Sequence, residues 1–192
     1  MNMNKKIILT DVDGVLLDWS YAFETYLEFQ VHKNIETESK SSHQFDFTNN
    51  ELMSHVRTFN KSVSMGFLPA LRDSIQYVKI LHEKYGYQFH AISSMGINKH
   101  SMKLRTKNLK RLFGDTVFDR FVYLDLMNSK EKILSEYKNS EYYWIEDDVQ
   151  NARDGLNLGL KSILIEQPHN INCKDVPIVK NWNILSKMII NS

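Results

Sequence analysis

Lys6-Ile7-Ile8-Leu9-Thr10-Asp11-Val12-Asp13-Gly14-Val15 runs from an apolar segment directly into two carboxylates and a glycine, and the fold turns on how that junction is read. The apolar part is too short for the hydrophobic region of a signal peptide and reads as a first strand, Lys6–Thr10. Two carboxylates one residue apart on an extended segment face opposite ways. If the chain turns at once, as Gly14 permits, Asp11 and Asp13 converge at the strand's carboxyl end, where parallel sheets bind ligands. Such a turn also frees backbone N–H groups that can cradle phosphate oxygens. The alternative is an ordinary turn that uses Asp and Gly for conformational reasons. A calcium-binding EF-hand loop fits poorly, because its glycine belongs at loop position 6 and here comes at position 4.

Outward from that junction, short apolar runs alternate with amphipathic stretches, the pattern of an α/β fold with a parallel sheet. Further strands are expected at Gln88–Ser93, Arg120–Leu124, Tyr142–Glu146 and Ser162–Ile165. Helical spacing is clearest over Leu71–Tyr85, where Leu71, Ile75, Val78 and Leu81 or His82 share a face. Helices are also expected at His100–Phe113, Lys130–Lys138, Val149–Leu158 and Trp182–Ile190, with Asp148 as an N-cap and Gly159 as a stop. Residues 19–69 break the alternation: a helix over Trp19–His32, a polar loop over Asn34–Ser42, and a second helix over Asn50–Val63. This stretch reads as a small helical cap (19–69) inserted into a core domain made of 1–18 and 70–192.

Composition sets the outer bounds. The 192 residues are 42% hydrophobic and 11% aromatic, enough to build a core, and the net charge of +1 gives no general reason to expect a polyanionic partner such as nucleic acid. Cys173 is the only cysteine, which rules out an internal disulfide and a Cys-based zinc site and suits a cytoplasmic setting. No uncharged apolar stretch approaches the roughly 18 residues a membrane span needs, so no membrane association is expected.

Three other strand ends carry candidate chemistry. Glu146, Asp147 and Asp148 close the strand Tyr142–Glu146. Adjacent carboxylates repel one another unless solvated or bound to a cation, and hard divalent ions such as magnesium take such oxygen ligands. Capping by Asp148 explains one of the three acids. Ser93 and Ser94 follow the second strand and offer hydroxyl donors to a phosphoryl oxygen, although serines are common there. Lys130, with Lys132 as a rival, follows the strand Arg120–Leu124 and could neutralise charge on a transferred phosphoryl group. For any one of the 24 Lys and Arg, a solvated surface is the default.

An acidic pair, a hydroxyl, a lysine and an acidic cluster thus fall at four strand ends in chain order. In that order the sequence resembles the haloacid dehalogenase superfamily over about Ile7–Ile165. Asp11-Val12-Asp13-Gly14-Val15 resembles its first motif, Ser93 the hydroxyl of the second, Lys130 the third-motif lysine, and Glu146-Asp147 the acidic fourth motif. The resemblance implies a Rossmann-like, three-layer α/β fold and a Mg2+-dependent phosphomonoester hydrolase that works through an aspartyl-phosphate. In it Asp11 is the nucleophile and Asp13 the general acid/base. Asp11, Asp147 and the backbone carbonyl of Asp13 hold the metal, with Glu146 or Asp148 contributing directly or through water. Ser93, Ser94 and Lys130 hold the phosphoryl oxygens. The second aspartate, Asp13, is a mark of phosphatases and phosphomutases, which dehalogenases lack.

Glu166-Gln167-Pro168-His169-Asn170 and Trp182 resemble the 5'(3')-deoxyribonucleotidase branch, with His169 in place of its usual tyrosine. Small phosphorylated substrates, nucleoside monophosphates first, are therefore expected. Trp19, Phe23, Phe45 and Phe47 could stack on a base or simply pack the cap. A phosphatase of sugar phosphates, another small metabolite or a nucleic-acid end is the competing enzyme reading. A binding protein that kept the fold without turnover is the non-catalytic one.

Overall fold

The computed structural model describes residues 6–34 and 47–192. Chain order is β1 (Ile7–Thr10), α1 (Trp19–Asn34), α2 (Asn49–Lys61), α3 (Ser74–Tyr85), β2 (Gln88–Ser93), α4 (Lys99–Phe113), β3 (Phe118–Tyr123), α5 (Glu131–Leu134), β4 (Tyr143–Glu146), α6 (Val149–Asn157), β5 (Lys161–Ile165), β6 (Ile178–Val179) and α7 (Trp182–Ile190), with short 3-10 turns at Val63–Gly66 and Ser135–Tyr137. The six strands form one parallel sheet in the order β3-β2-β1-β4-β5-β6. The chain winds from β1 through β2 to β3, then crosses back to β4. The strand order therefore reverses beside β1, and in an open parallel sheet the crevice at such a point is where ligands bind.

Both faces of the sheet are covered, and β1 shows why. Ile8 and Leu9 are each fully buried. Neighbouring strand residues point to opposite faces. Ile8 accordingly packs in a core with Phe89, Leu16 and Trp182, and Leu9 in a second core with Ile92, Trp144 and Leu134. Trp182 and Trp144 are buried with their indole N–H groups satisfied, by the carbonyls of Val15 at 2.8 Å and of Asn151 at 3.1 Å. Buried indoles need such acceptors.

Gly155 of α6 faces this second core at close range. A Cβ there would lie 2.4 Å from Ser162 Oγ and 2.5 Å from Trp144 Cδ1. Alanine is the better helix former by about 1 kcal/mol, but overpacking a fixed core costs roughly 1–3 kcal/mol. Gly155→Ala should therefore lower the urea midpoint at constant slope. A midpoint unchanged or raised would mean that α6 can lift off the sheet freely.

The excursion between β1 and β2 leaves and re-enters the sheet at one place. Asp18 N–H donates to Pro69 O at 3.0 Å, and Leu17 bridges Ala70. Within it, α1 and α2 meet through aromatic rings: Trp19 stacks on Phe23 with centroids 4.7 Å apart, and Phe59 lies 5.4 Å from Phe23 and 5.2 Å from Tyr26. Phe23 is thus turned into the packing and not toward a ligand. Helix α2 opens on a capping box in which Thr48 and Glu51 bond each other's backbone N–H. The expected polar loop beyond Asn34 and the aromatic Phe45 lie outside the described residues.

Several sequence-based boundaries move. The helix expected from Leu71 starts at Ser74, because Leu71 N–H is spent on Leu16 O at 2.8 Å, in a turn where Arg72 takes a positive φ of 45°. The helix expected over Lys130–Lys138 is a single α turn followed by a 3-10 turn, with Tyr137 drawn inward to His90 Nδ1 at 2.8 Å. Strand β3 begins at Phe118, two positions before the expected start. Strand β6 was not foreseen; at two residues it is too short for periodicity to register. Among the described residues no helix is long and apolar enough to cross a membrane.

Candidate active site

The site begins where β1 ends. Thr10 pairs with Ala91 of β2 and Ile145 of β4, and the next residue, Asp11, donates its N–H to Ile145 O at 2.8 Å. The chain then turns sharply. Leu16 and Leu17 both donate N–H groups to Val12 O, and Gly14 donates to Leu17 O. Gly14 sits at φ +77°, a conformation other residues adopt only with strain.

Asp11 is 6% exposed and meets Lys130, whose Nζ lies 2.7 Å from Asp11 Oδ1 and 2.5 Å from Glu146 Oε1. Lys132, the rival in sequence, is exposed. Burial pushes the Asp11 carboxyl well above the usual range; Lys130 opposes this, while the charges of Glu146, Asp147 and Asp13 reinforce it. Burial likewise raises Glu146 against the pull of Lys130. For Lys130 burial acts to lower the pKa, but Asp11 and Glu146 outweigh it and the ammonium is held charged beyond its ordinary range.

Glu146 is the most enclosed of these acids, with no exposed surface. Its Oε2 accepts the backbone N–H groups of Asp147 (2.7 Å) and Asp148 (2.8 Å), and its Oε1 accepts Lys130 Nζ and Asn151 Nδ2 (3.0 Å). Four donors leave this carboxylate little spare capacity, and it fixes Lys130 beside Asp11. Asp148 caps α6, its side chain accepting Asn151 N–H at 2.8 Å.

Asp13 is held differently. Its Oδ1 is ion-paired with Arg105 Nη1 from α4, and its Oδ2 accepts Ser93 Oγ at 3.3 Å. Ser93 is therefore beside the acidic pair, but its hydroxyl points to Asp13. Ser94 Oγ donates to Asn128 O at 3.3 Å, which ties the loop after β2 to the loop after β3. Asp13 and Asp147 line a cavity of about 350 Å³ together with Gly14, Trp19, Glu24 and His169. Among the described residues Trp19 is thus the one expected stacking residue that lines this opening, although its Nε1 is already bonded to Asn60 Oδ1 at 2.9 Å.

The segment after β5 braces the turn. Gln167 Nε2 donates to Gly14 O at 2.7 Å, and Asn170 Nδ2 donates to Asp147 O at 2.8 Å. His169 Nε2 lies 3.3 Å from Asp147 Oδ2, and that carboxylate raises the imidazole's pKa.

A divalent cation suits this donor set. Asp11, Glu146 and Asp147 each place a carboxylate oxygen within 4.8 Å of the others. Four acids, counting Asp13, crowd around the two permanent cations Lys130 and Arg105, so negative charge is in excess. All the donors are hard oxygens, the kind magnesium prefers. Asp13's carboxylate stands outside the three-acid group and leaves only its backbone carbonyl for the ligand role expected of it.

No family model and no curated protein matches the chain. Solved structures do. A predicted phosphatase from Clostridium acetobutylicum superposes with a TM-score of 0.68 at 17% identity, covering 98% of this chain and 99% of its own. The putative hydrolase YfnB from Bacillus subtilis, bound to magnesium, gives 0.65 at 12% identity over 97% and 99%. A haloacid dehalogenase-family hydrolase from Deinococcus radiodurans, with bound phosphate and sodium, gives 0.65 at 12% over 97% and 96%. Identities this low speak for the fold alone. The fold is that of the haloacid dehalogenase-like hydrolases.

Within this haloacid dehalogenase-like fold the acidic turn depends on Gly14 twice over. A Cβ at residue 14 would come within 2.3 Å of Asp147 Oδ2, and the positive φ would be strained by roughly 1–3 kcal/mol. Gly14→Ala should therefore displace Asp147 and lower the urea midpoint at constant slope. A midpoint equal to that of the wild type would count against the close approach.

Arg105 of this haloacid dehalogenase-like core escaped sequence reading, as did the bracing by Gln167. One signal for Arg105 was present. It shares the inward face of α4 with Ser101, Asn108 and Leu109, all buried, so a cation occupies a core-facing position.

Proposed function

We propose that the chain is a Mg2+-dependent phosphomonoester hydrolase acting through an aspartyl-phosphate on Asp11. The observation that carries this reading is Asp11 at the switch point of the sheet, paired with buried Lys130 and flanked by Asp13 and Asp147 at an open cavity. Asp11 Oδ attacks phosphorus, the bond from phosphorus to the leaving oxygen breaks, and Asp13 gives that oxygen its proton. Asp13 then takes a proton from a water that attacks the same phosphorus. The acyl-phosphate P–O bond breaks, returning Asp11 and inorganic phosphate. Lys130 neutralises and orients the phosphoryl oxygens; the hydroxyls of Ser93 and Ser94, expected to share this part, are taken up here by their bonds to Asp13 and to Asn128 O. When bound, magnesium held by Asp11, Asp147 and the carbonyl of Asp13 supplies charge neutralisation between two anions. Glu146, engaged by four donors, serves mainly to hold Lys130.

We read residues 19–69 as the cap that selects the leaving group, supported by the shared crossing point at Asp18 and Pro69. Nucleoside monophosphates remain the first substrate class, with Trp19 at the cavity as the aromatic face. The inward packing of Phe23 favours a second class, phosphates of sugars or other small metabolites. The test is release of phosphate from p-nitrophenyl phosphate with magnesium and with a chelator, followed by a panel of ribo- and deoxyribonucleoside monophosphates against sugar phosphates. No magnesium-dependent release removes the hydrolase reading, and equal rates across the panel remove the nucleotide one.

A further inference from the structure

We propose that Arg105 is a positioning residue that aims Asp13 at the leaving-group oxygen, an inference that rests on the hydrolase reading above. Arg105 is completely buried in the middle of α4. Its Nη1 pairs with Asp13 Oδ1 and its Nη2 meets the sulfur of Met65 at 3.2 Å, while its Nε has no acceptor among the described residues. Among the described residues Asp13 is its one ion-pair partner. A guanidinium serving the core would satisfy more of its donors, since buried polar groups are normally bonded. Nor does stability explain the pair, because apolar residues of similar volume often replace a buried ion pair at no loss.

What the pair does achieve is orientation. The turn pins the backbone of Asp13, which bridges Leu17, and leaves the direction of its carboxylate to the side chains that meet it. Arg105 holds Oδ1 from α4 and Ser93 holds Oδ2 from β2, both groups being buried. The carboxylate keeps its free edge on the cavity, where its side chain is 25% exposed. Helix α4 is itself anchored to the returning end of the excursion, with Asn108 Nδ2 donating to Leu68 O at 3.0 Å. Two elements of the core therefore set the aim of the acid/base group, and preorganisation of that kind is what proton transfer in the transition state requires.

The experiment uses the leaving group as the readout. p-Nitrophenolate departs without a proton, whereas an alkoxide needs one. Single-turnover rates would be measured with magnesium on p-nitrophenyl phosphate, phenyl phosphate and an alkyl phosphate. Arg105→Met should cost about 10²-fold on the alkyl ester and less than about tenfold on the p-nitrophenyl ester, within the range general acid catalysis supplies. Its KM should change little, and Arg105→Lys should recover part of the alkyl rate. In an Asp13→Ala background Arg105→Met should add no further loss, as expected for residues acting as one unit. A uniform drop on all three esters, or an additive loss in the double variant, overturns the assignment. If Arg105→Met does not fold, Arg105→Lys and Arg105→Gln carry the same comparison. A wild type inert on every ester instead refutes the hydrolase reading, and this inference with it.

Discussion

Asp11→Asn should bring hydrolysis of p-nitrophenyl phosphate down by at least about 10⁴-fold, the scale seen when a nucleophile is removed from a preorganised site. The same substitution should leave the metal-free protein as stable as the wild type or more so. The reason lies in the burial of this acid among Glu146, Asp147 and Asp13, which raises its pKa in the folded state. A carboxylate whose folded pKa exceeds its unfolded one destabilises the fold when ionised. The penalty is present above the folded pKa and fades as pH falls through it toward the unfolded value. Wild-type protein in chelator should therefore gain stability from this group on mild acidification, and Asp11→Asn should lack that gain. Asparagine keeps the volume and removes one charge from a crowded site; sites built for chemistry commonly give up stability in this way. Urea midpoints at two pH values, beside single-turnover assays, separate the effects. Residual activity within tenfold of wild type would strip Asp11 of its role.

Lys130→Met should be the most destabilising single exchange in the site. Lys130 is 3% exposed and touches two carboxylates that are themselves 6% and 0% exposed. Removing one partner of a buried pair leaves uncompensated charge and costs about 3–5 kcal/mol. Glu146 keeps three of its donors, the N–H groups of Asp147 and Asp148 and the amide of Asn151, whereas Asp11 loses its one ion-pair partner among the described residues. Activity should vanish with it. Adding Glu146→Gln to Lys130→Met should recover part of the stability and none of the activity. A loss under about 1 kcal/mol for Lys130→Met at unchanged denaturant slope would show that water reaches this cluster.

How much of this was legible depended on the range of the interaction. Strands β1, β2, β4 and β5 declared themselves as apolar runs. Both ends of α6 were marked by local chemistry, the Asp148 cap and Gly159 at φ +78°. Helix α7 matched its expected bounds from Trp182 to Ile190. The acidic turn could be read because Asp11, Asp13 and Gly14 are neighbours in the chain. Lys130 stood out only by its position after a strand, and nothing local distinguished it from Lys132 until burial did. Arg105 lay beyond reach, since a cation in a helix defaults to solvent and its partner is 92 positions away. The division of labour between Glu146 and Asp147 was equally hidden. Adjacent acids look alike in sequence, and only the four donors converging on Glu146 set it apart.

The hydrogen bond from Asp18 to Pro69 has a consequence for how such a protein can diversify. Because departure and return share one doorway, whatever lies between them can be exchanged only as a unit that also rests on α4 and on the loop after β2, where Leu68 O accepts Asn108 and Asn60 reaches Met95 O. A chimaera carrying a different helical hairpin there should keep its melting behaviour only where Asn60, Met65 and Leu68 are retained, and should lose stability where they are not. A graft therefore has a doorway to pass and a helix to lie against.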